Sequence, residues 1–120
     1  MRISEIAAET GLSIDTIRYY EKAGICPPIS RSADGRRLFS NENCEWLTLL
    51  ASLRETGMPL KEMSEFGQLY QRGDATVAQR KAMLIAHGQR LERRRAALAR
   101  CDALLQFKIG RYDEILGEQA

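Results

Sequence analysis

The sequence predicts a mainly α fold: a winged helix-turn-helix head, two connecting helices, and a long C-terminal dimerisation helix. Three features carry this expectation. Gly11-Leu12-Ser13 separates two short amphipathic stretches near the N-terminus, which is the spacing of a helical hairpin with a tight Gly-containing turn. Asp34-Gly35, a strong hairpin-turn dipeptide, lies between short apolar runs. Leu84, Leu91, Leu98 and Leu105 recur at heptad spacing along a stretch that contains no proline.

The elements follow in chain order. Residues 4–9 form a first helix with Ser4 as N-cap and Ile6 and Ala7 on the buried side. Gly11 suits the turn, and Ser13 caps the second helix, 14–23, which Gly24 ends. Pro27-Pro28 prevents continuation, because proline lacks an N–H and clashes with the preceding turn. Ile29-Ser30-Arg31 and Arg37-Leu38-Phe39 are expected as two very short strands, a wing. Ser40 caps a helix over 41–56 whose Trp46, Leu47, Leu50 and Leu53 share one face, and Gly57 stops it. Pro59 opens a fourth helix, 59–71, with Leu60, Met63, Phe66 and Tyr70 inward.

Asp74 or Thr76 is expected to cap the last helix, 76–111, in which Gly88 and Gly110 are the weak points. Its length of roughly 50 Å is too great for the inside of a globule of this size. The leucines fill one seam position of a coiled coil. The complementary position is mixed, holding Arg94, Cys101 and Lys108 in one phase and Gly88, Arg95, Asp102 and Ile109 in the other. So many polar seam residues disfavour a long parallel zipper; a partner-supported pair, with an antiparallel arrangement open, is the better reading. The domain division is 1–40 for the head, 41–73 for the connecting pair, and 74–120 for the dimerisation helix with a short tail.

Composition narrows the function. The 120 residues are 44% hydrophobic and 28% charged, which gives a modest core and argues against disorder. No apolar run approaches the roughly 20 residues of a membrane helix, and the N-terminus has no secretory signal pattern, so a cytoplasmic address without membrane contact is expected. Three cysteines make no disulfide framework. One histidine, His87, removes multi-His metal sites and disfavours a catalytic triad, so neither enzyme activity nor a cofactor is expected. His87 itself is expected as an ordinary polar seam or surface residue. Residues 80–111 carry nine basic side chains against two acidic ones, while residues 1–79 hold nine against eleven. Any nucleic-acid footprint in the head is therefore local, and Arg18, Lys22, Arg31, Arg36 and Arg37 are its candidates. The C-terminal arginine run is in the first instance a solvated helix face.

At Thr16-Ile17-Arg18-Tyr19-Tyr20-Glu21, then Gly24-Ile25 and Pro27-Pro28, the sequence resembles the MerR family of bacterial transcription regulators. The likeness continues through Gly35-Arg36-Arg37-Leu38-Phe39-Ser40, Leu53-Arg54 and Gly57-Met58-Pro59-Leu60-Lys61-Glu62-Met63, so it runs the length of the chain in order. The resemblance implies a winged helix-turn-helix head and an antiparallel coiled-coil homodimer. It also implies an operator inside a promoter with an overlong spacer, and an effector that makes the dimer distort the DNA so that RNA polymerase engages both promoter elements. Gly73-Asp74-Ala75-Thr76-Val77, Arg80-Lys81 and the basic leucine-repeating helix resemble the branch answering aldehydes and other reactive electrophiles. Three positions depart from the family's pattern. Arg36 replaces a common wing tyrosine, Pro59 a common capping Ser, and Ser52 stands near where that branch commonly carries a reactive Cys. No Cys follows Cys101, which removes the thiolates a metal-sensing member needs.

The expected DNA-binding set is Thr16, Arg18, Tyr19, Lys22, Arg36 and Arg37. With Ile17 and Tyr20 inward, Arg18 and Tyr19 face solvent, where Arg meets guanine O6 and N7 or a phosphate and Tyr meets phosphate or a thymine methyl. The alternative is a surface ion pair, Arg18 with Glu21 or Lys22 with Asp15. Arg36 and Arg37 at the wing tip grip the backbone or enter the minor groove. Leu84, Leu91, Leu98 and Leu105 form the dimerisation seam. Cys101 is either a small buried seam residue or a sensor thiol activated by Arg100. Met58, Met63, Phe66 and Tyr70 are core, or an adaptable effector pocket. The competing function is a ligand-independent DNA-binding module whose coiled coil recruits a protein partner.

Overall fold

The helices of the head start where side chains replace the missing backbone acceptors. The structure, a computed structural model, describes residues 1–120: α1 Ile3–Thr10, α2 Ile14–Lys22, α3 Asn41–Glu55, α4 Leu60–Gln71, a 3-10 turn Asp74–Thr76, and α5 Val77–Glu118. Ser13 Oγ accepts from Thr16 N at 3.1 Å to start α2. Ser40 Oγ accepts from Asn43 N at 3.0 Å while Asn43 Oδ1 accepts from Ser40 N at 2.9 Å, a reciprocal cap on α3.

The first helix begins earlier than expected. Ser4 lies inside α1 and Arg2 holds the cap position, its backbone N donating to Glu5 Oε1 at 3.1 Å. The cause is long-range: Met1 N donates to Phe39 O and Phe39 N to Met1 O, both at 2.7 Å, so the chain is extended through Met1 before it can turn helical.

The wing is shorter than two strands. Only Arg31 and Arg37 form an antiparallel bridge, supported by Ser32 N donating to Arg36 O and Leu38 N to Ser30 O, both at 2.8 Å. A two-stranded hairpin is marginal without an apolar face, and beyond the buried Ile29 and Phe39 this one carries exposed charge.

Residues Met1–Met83 pack as one unit, with a core running without interruption from Ile6 through Ile17, Tyr20 and Leu47 to Phe66. Trp46, Leu47, Leu50 and Leu53 are the buried stripe of α3, as the spacing requires. On α4 the stripe is Met63, Phe66 and Gly67, with Tyr70 half-buried. Leu60, expected inward, is 50% exposed, because α4 starts beyond the edge of the core and leaves its first residue at the rim of a cleft.

Gly67 marks the closest approach. A Cβ there would lie 2.6 Å from Ile25 O and 2.7 Å from Ile25 Cα, so the backbone of α4 sits directly on the corner that follows α2. Trp46 completes this clamp. Its Nε1 donates to Ile25 O at 3.0 Å, and its ring stacks on Phe66 and Tyr70 at centroid distances of 5.0 and 4.0 Å.

Neither Asp74 nor Thr76 caps α5 in the expected way. Gly73 occupies the cap position of the 3-10 turn, and the buried Thr76 hydroxyl donates back to Leu69 O at 2.6 Å. Arg80 reinforces the corner by donating to Thr76 Oγ1 and Gly73 O, both at 3.1 Å, with its guanidinium 5.3 Å from the Tyr70 ring centroid. The last helix runs to Glu118, through Gly88 and Gly110. Leu84–Ala120 form the second unit. There Leu98 is 69% exposed and Phe107 76%, while His87, expected at a polar seam or the surface, is buried and hydrogen-bonded through Nδ1 to Arg90 Nη2 at 3.0 Å.

Gly67→Ala should lower stability by about 1–3 kcal/mol, the cost of forcing a methyl into a filled site. Urea unfolding followed by circular dichroism reads this directly, and an unchanged midpoint would refute the close packing at Ile25.

Candidate nucleic-acid interface

The second helix of the head presents one face outward and one inward. Ile17 and Tyr20 are buried, and Arg18, Tyr19 and Lys22 are exposed, as helical spacing requires. Arg18 pairs with Asp15 at 3.8 Å, one turn earlier, rather than with Glu21. Both partners are open to water, so the pair is worth little and exchanges readily for a stronger anion. Thr16 is half-buried; its Oγ1 accepts from Ser13 Oγ at 2.8 Å and from Arg54 Nη1 at 3.5 Å.

Glu21 faces the wing. Its Oε1 accepts from Arg37 Nε and its Oε2 from Ile29 N, both at 2.6 Å. Burial pushes its carboxyl up, but the Arg37 hydrogen bond, the Ile29 N–H and the Arg37 and Arg31 charges outweigh that and hold it below the ordinary value of 4.5. This revises the expectation for Arg37. It does not project from the wing tip: its side chain is 22% exposed and fastens the wing to α2. Arg36, 75% exposed, is the projecting cation, 3.6 Å from Asp34.

Between the N-terminal segment and the wing lies a groove of about 450 Å³ lined by five arginines, Arg2, Arg18, Arg31, Arg36 and Arg37, together with Ile3, Ser4 and Gly35. Arg31 Nη1 donates to Gly35 O at 3.0 Å and Arg2 Nη1 to Ser32 Oγ at 3.1 Å, which holds two of these side chains across the hairpin. Such a concentration of guanidinium groups beside an exposed helix face suits a polyanion backbone. The Met1–Phe39 pairing, which no local motif announces, brings Arg2 beside the wing.

A second cleft, about 460 Å³, opens between α2 and the α3–α4 corner, with Tyr20, Arg54, Met58 and Met63 in its wall. It divides the expected effector pocket. Met58 and Met63 line it, whereas Phe66 and Tyr70 are stacked on Trp46. Tyr70 Oη donates to Glu42 Oε1 at 2.7 Å, and that bond, with burial, raises its phenol to about 12. Arg54 reaches Thr16 from 38 residues away, so sequence periodicity gave no sign of it.

The thiols differ. Cys26 is buried, and burial together with the Glu21 charge pushes it up to about 12, so it stays protonated and unreactive at neutral pH. Cys44 is half-buried, and Cys101 is exposed on α5 beside Arg100. Leu84, Leu98 and Leu105 of the heptad row are exposed in the single chain and Leu91 is half-buried. No group of three or more His, Cys, Asp or Glu side chains is placed to hold a metal ion, and no helix is long and apolar enough to cross a membrane.

Comparison with known proteins matches residues 1–68 to a family described as MerR HTH family regulatory protein and residues 44–106 to one described as MerR, DNA binding. The chain is 35% identical over 91 residues to the HTH-type transcriptional regulator AdhR of Bacillus subtilis (strain 168), across 76% of this chain and 65% of AdhR, just under two thirds of that protein's length. It is 32% identical over 111 residues to an uncharacterised HTH-type transcriptional regulator of Haemophilus influenzae, covering 92% of this chain and 82% of that one. A solved structure of HiNmlR, a MerR family regulator lacking the sensor domain and bound to promoter DNA, superposes with a TM-score of 0.83 at 31% identity, covering 94% of this chain and 90% of that one.

Because the Glu21 carboxyl is lowered in the folded protein, its contribution is complete above about 4.5 and lost as pH falls through the lower folded value. Glu21→Gln should therefore cost about 1–3 kcal/mol at neutral pH, with the gap to the wild type closing in acid. Urea titrations at a series of pH values check this; a gap independent of pH would contradict it.

Proposed function

This chain belongs to the MerR family of helix-turn-helix regulators, and from that premise we propose that it acts as a homodimeric, sequence-specific regulator that distorts promoter DNA in response to an effector or stress signal. The observation that supports this most directly is the continuity of one cationic surface, from the outward face of α2 to the arginine-lined groove of the wing. An α-helix fits the major groove, where Arg18 and Tyr19 reach base edges and phosphates, while Thr16 and Lys22 meet the backbone at either end of α2. The wing then lies along flanking phosphates, and Arg36 supplies affinity rather than sequence choice. RNA polymerase on the same promoter is the partner that reads the distortion.

A second copy of the chain is the natural cover for α5. Leu98 and Leu105 lie open in the single chain, and apolar side chains at heptad spacing gain by burial against an identical row. Dimerisation also fixes the spacing of two heads, so a palindromic operator follows from the symmetry. The signal has two points of entry: the exposed Cys101 thiol on α5, and the cleft walled by Met58 and Met63. For either to alter promoter shape, it must favour one of two DNA-bound states over the other.

Two outcomes follow. Arg18→Ala should weaken operator binding by about 1–3 kcal/mol and flatten preference at the base it reads, whereas Arg36→Ala should weaken all duplexes alike and reduce the salt slope by about one. Fluorescence anisotropy on operator and scrambled duplexes separates the two, and identical behaviour of both variants would reject this division. Replacing Leu91 and Leu98 with Lys should give monomers in sedimentation equilibrium and abolish operator binding; a variant that stays dimeric would reject the seam.

A further inference from the structure

The arginine groove already contains an anion of its own. The Asp34 carboxylate lies 3.8 Å from Arg2 Nη1 and 3.6 Å from Arg36 Nε. It also accepts from the Ser32 hydroxyl and, at 3.4 Å, from the Arg36 backbone N–H. Two guanidinium groups, a hydroxyl and a backbone N–H are the donors that proteins bring to a DNA phosphate oxygen. The other arginines of the groove are engaged elsewhere: Arg37 with Glu21, Arg18 with Asp15, and Arg31 with Gly35 O. Arg2 and Arg36 are each ion-paired with Asp34.

We propose that Asp34 is a built-in phosphate mimic, which occupies the Arg2–Arg36 cation pair in the free protein and is displaced by a backbone phosphate when the wing engages double-stranded DNA. This rests on the DNA-binding reading above and adds a regulator to the same surface. The wing does not simply add two positive charges to the complex; it exchanges one anion for another. The side chain of Asp34 is 53% exposed, so it can swing into water without disturbing the core. Hydrogen bonds from Ser32 and the Arg36 backbone, with the Arg2 charge, keep the carboxyl below its ordinary range and therefore ionised at neutral pH. Its charge is not needed for the turn. Asn serves as well as Asp before Gly in a tight hairpin, so the carboxylate has a consequence that the backbone conformation does not require.

The exchange restrains sequence-independent binding. A wing of uncompensated arginines would hold the dimer on any duplex, whereas a wing in which Asp34 offsets one of the two charges of Arg2 and Arg36 gains less until α2 has seated and presents the flanking phosphates. Asp34 thus raises the ratio of specific to non-specific occupancy without touching a base.

Asp34→Asn is the decisive variant, because its amide oxygen still accepts from Ser32 and from the Arg36 N–H while the charge is gone. The full chain is titrated with a scrambled-sequence duplex by fluorescence anisotropy over a series of salt concentrations. Asp34→Asn should bind about three- to tenfold tighter at low salt, with a salt slope steeper by about one. The gain should vanish in the Arg2→Gln/Arg36→Gln background, because the cations that Asp34 occupies are then missing. Wild-type binding with no gain for Asp34→Asn, weaker binding by that variant, or a gain that persists undiminished without Arg2 and Arg36 would each overturn the exchange alone. Absence of binding to any duplex by the wild type and every variant would overturn the DNA reading and the exchange with it.

Discussion

Two hydrogen bonds of 2.6 Å converge on the carboxylate of Glu21, one from Arg37 Nε and one from Ile29 N. The wing has one bridge and only Ile29 and Phe39 buried at its base, so this attachment is what ties it to α2. Both charged partners are largely withdrawn from water, where a pair with good geometry is costly to break from one side. Glu21 holds Arg37 in the wall of the arginine groove; without it Arg37 and the Ile29 N–H would both need new partners. An acidic residue on α2 thereby organises a cationic surface.

The corner after α2 is held with equal strictness by the connecting helices. Trp46 from α3 takes the Ile25 carbonyl, and α4 brings the bare backbone of Gly67 against the same residue. Tyr70 stacks on Trp46 and lies under Arg80, while Trp46 bonds to Ile25, so the root of α5 and the corner after α2 meet at one aromatic cluster. The core crosses the expected boundary near residue 40 without a break.

Much of this was legible in the chain because it is local. Ser13, Ser40 and the α3 stripe act within one or two turns, and period and cap chemistry are enough to place them. With Ile17 and Tyr20 inward, helical spacing alone places Arg18 and Tyr19 on the exposed face of α2. What escaped depends on partners distant in sequence. Its position near Gly35 marks Arg37 as a wing-tip cation, but its partner is Glu21, 16 residues earlier. Arg2 and Arg54 reach their neighbours across 30 and 38 residues. Leu60 failed for a related reason: helical periodicity assigns a face but does not say where the core beneath that face ends.

The chain has a single tryptophan, and it is the one in this stack. Its indole stacks on Phe66 and Tyr70 with its N–H on the Ile25 carbonyl, so polarity and quenching around the ring are set by the corner that follows α2. Ultraviolet emission from Trp46 is therefore an intrinsic, label-free optical probe of the joint between α2 and its supports. Any rearrangement that lifts α4 from Ile25 changes the colour and brightness of that light.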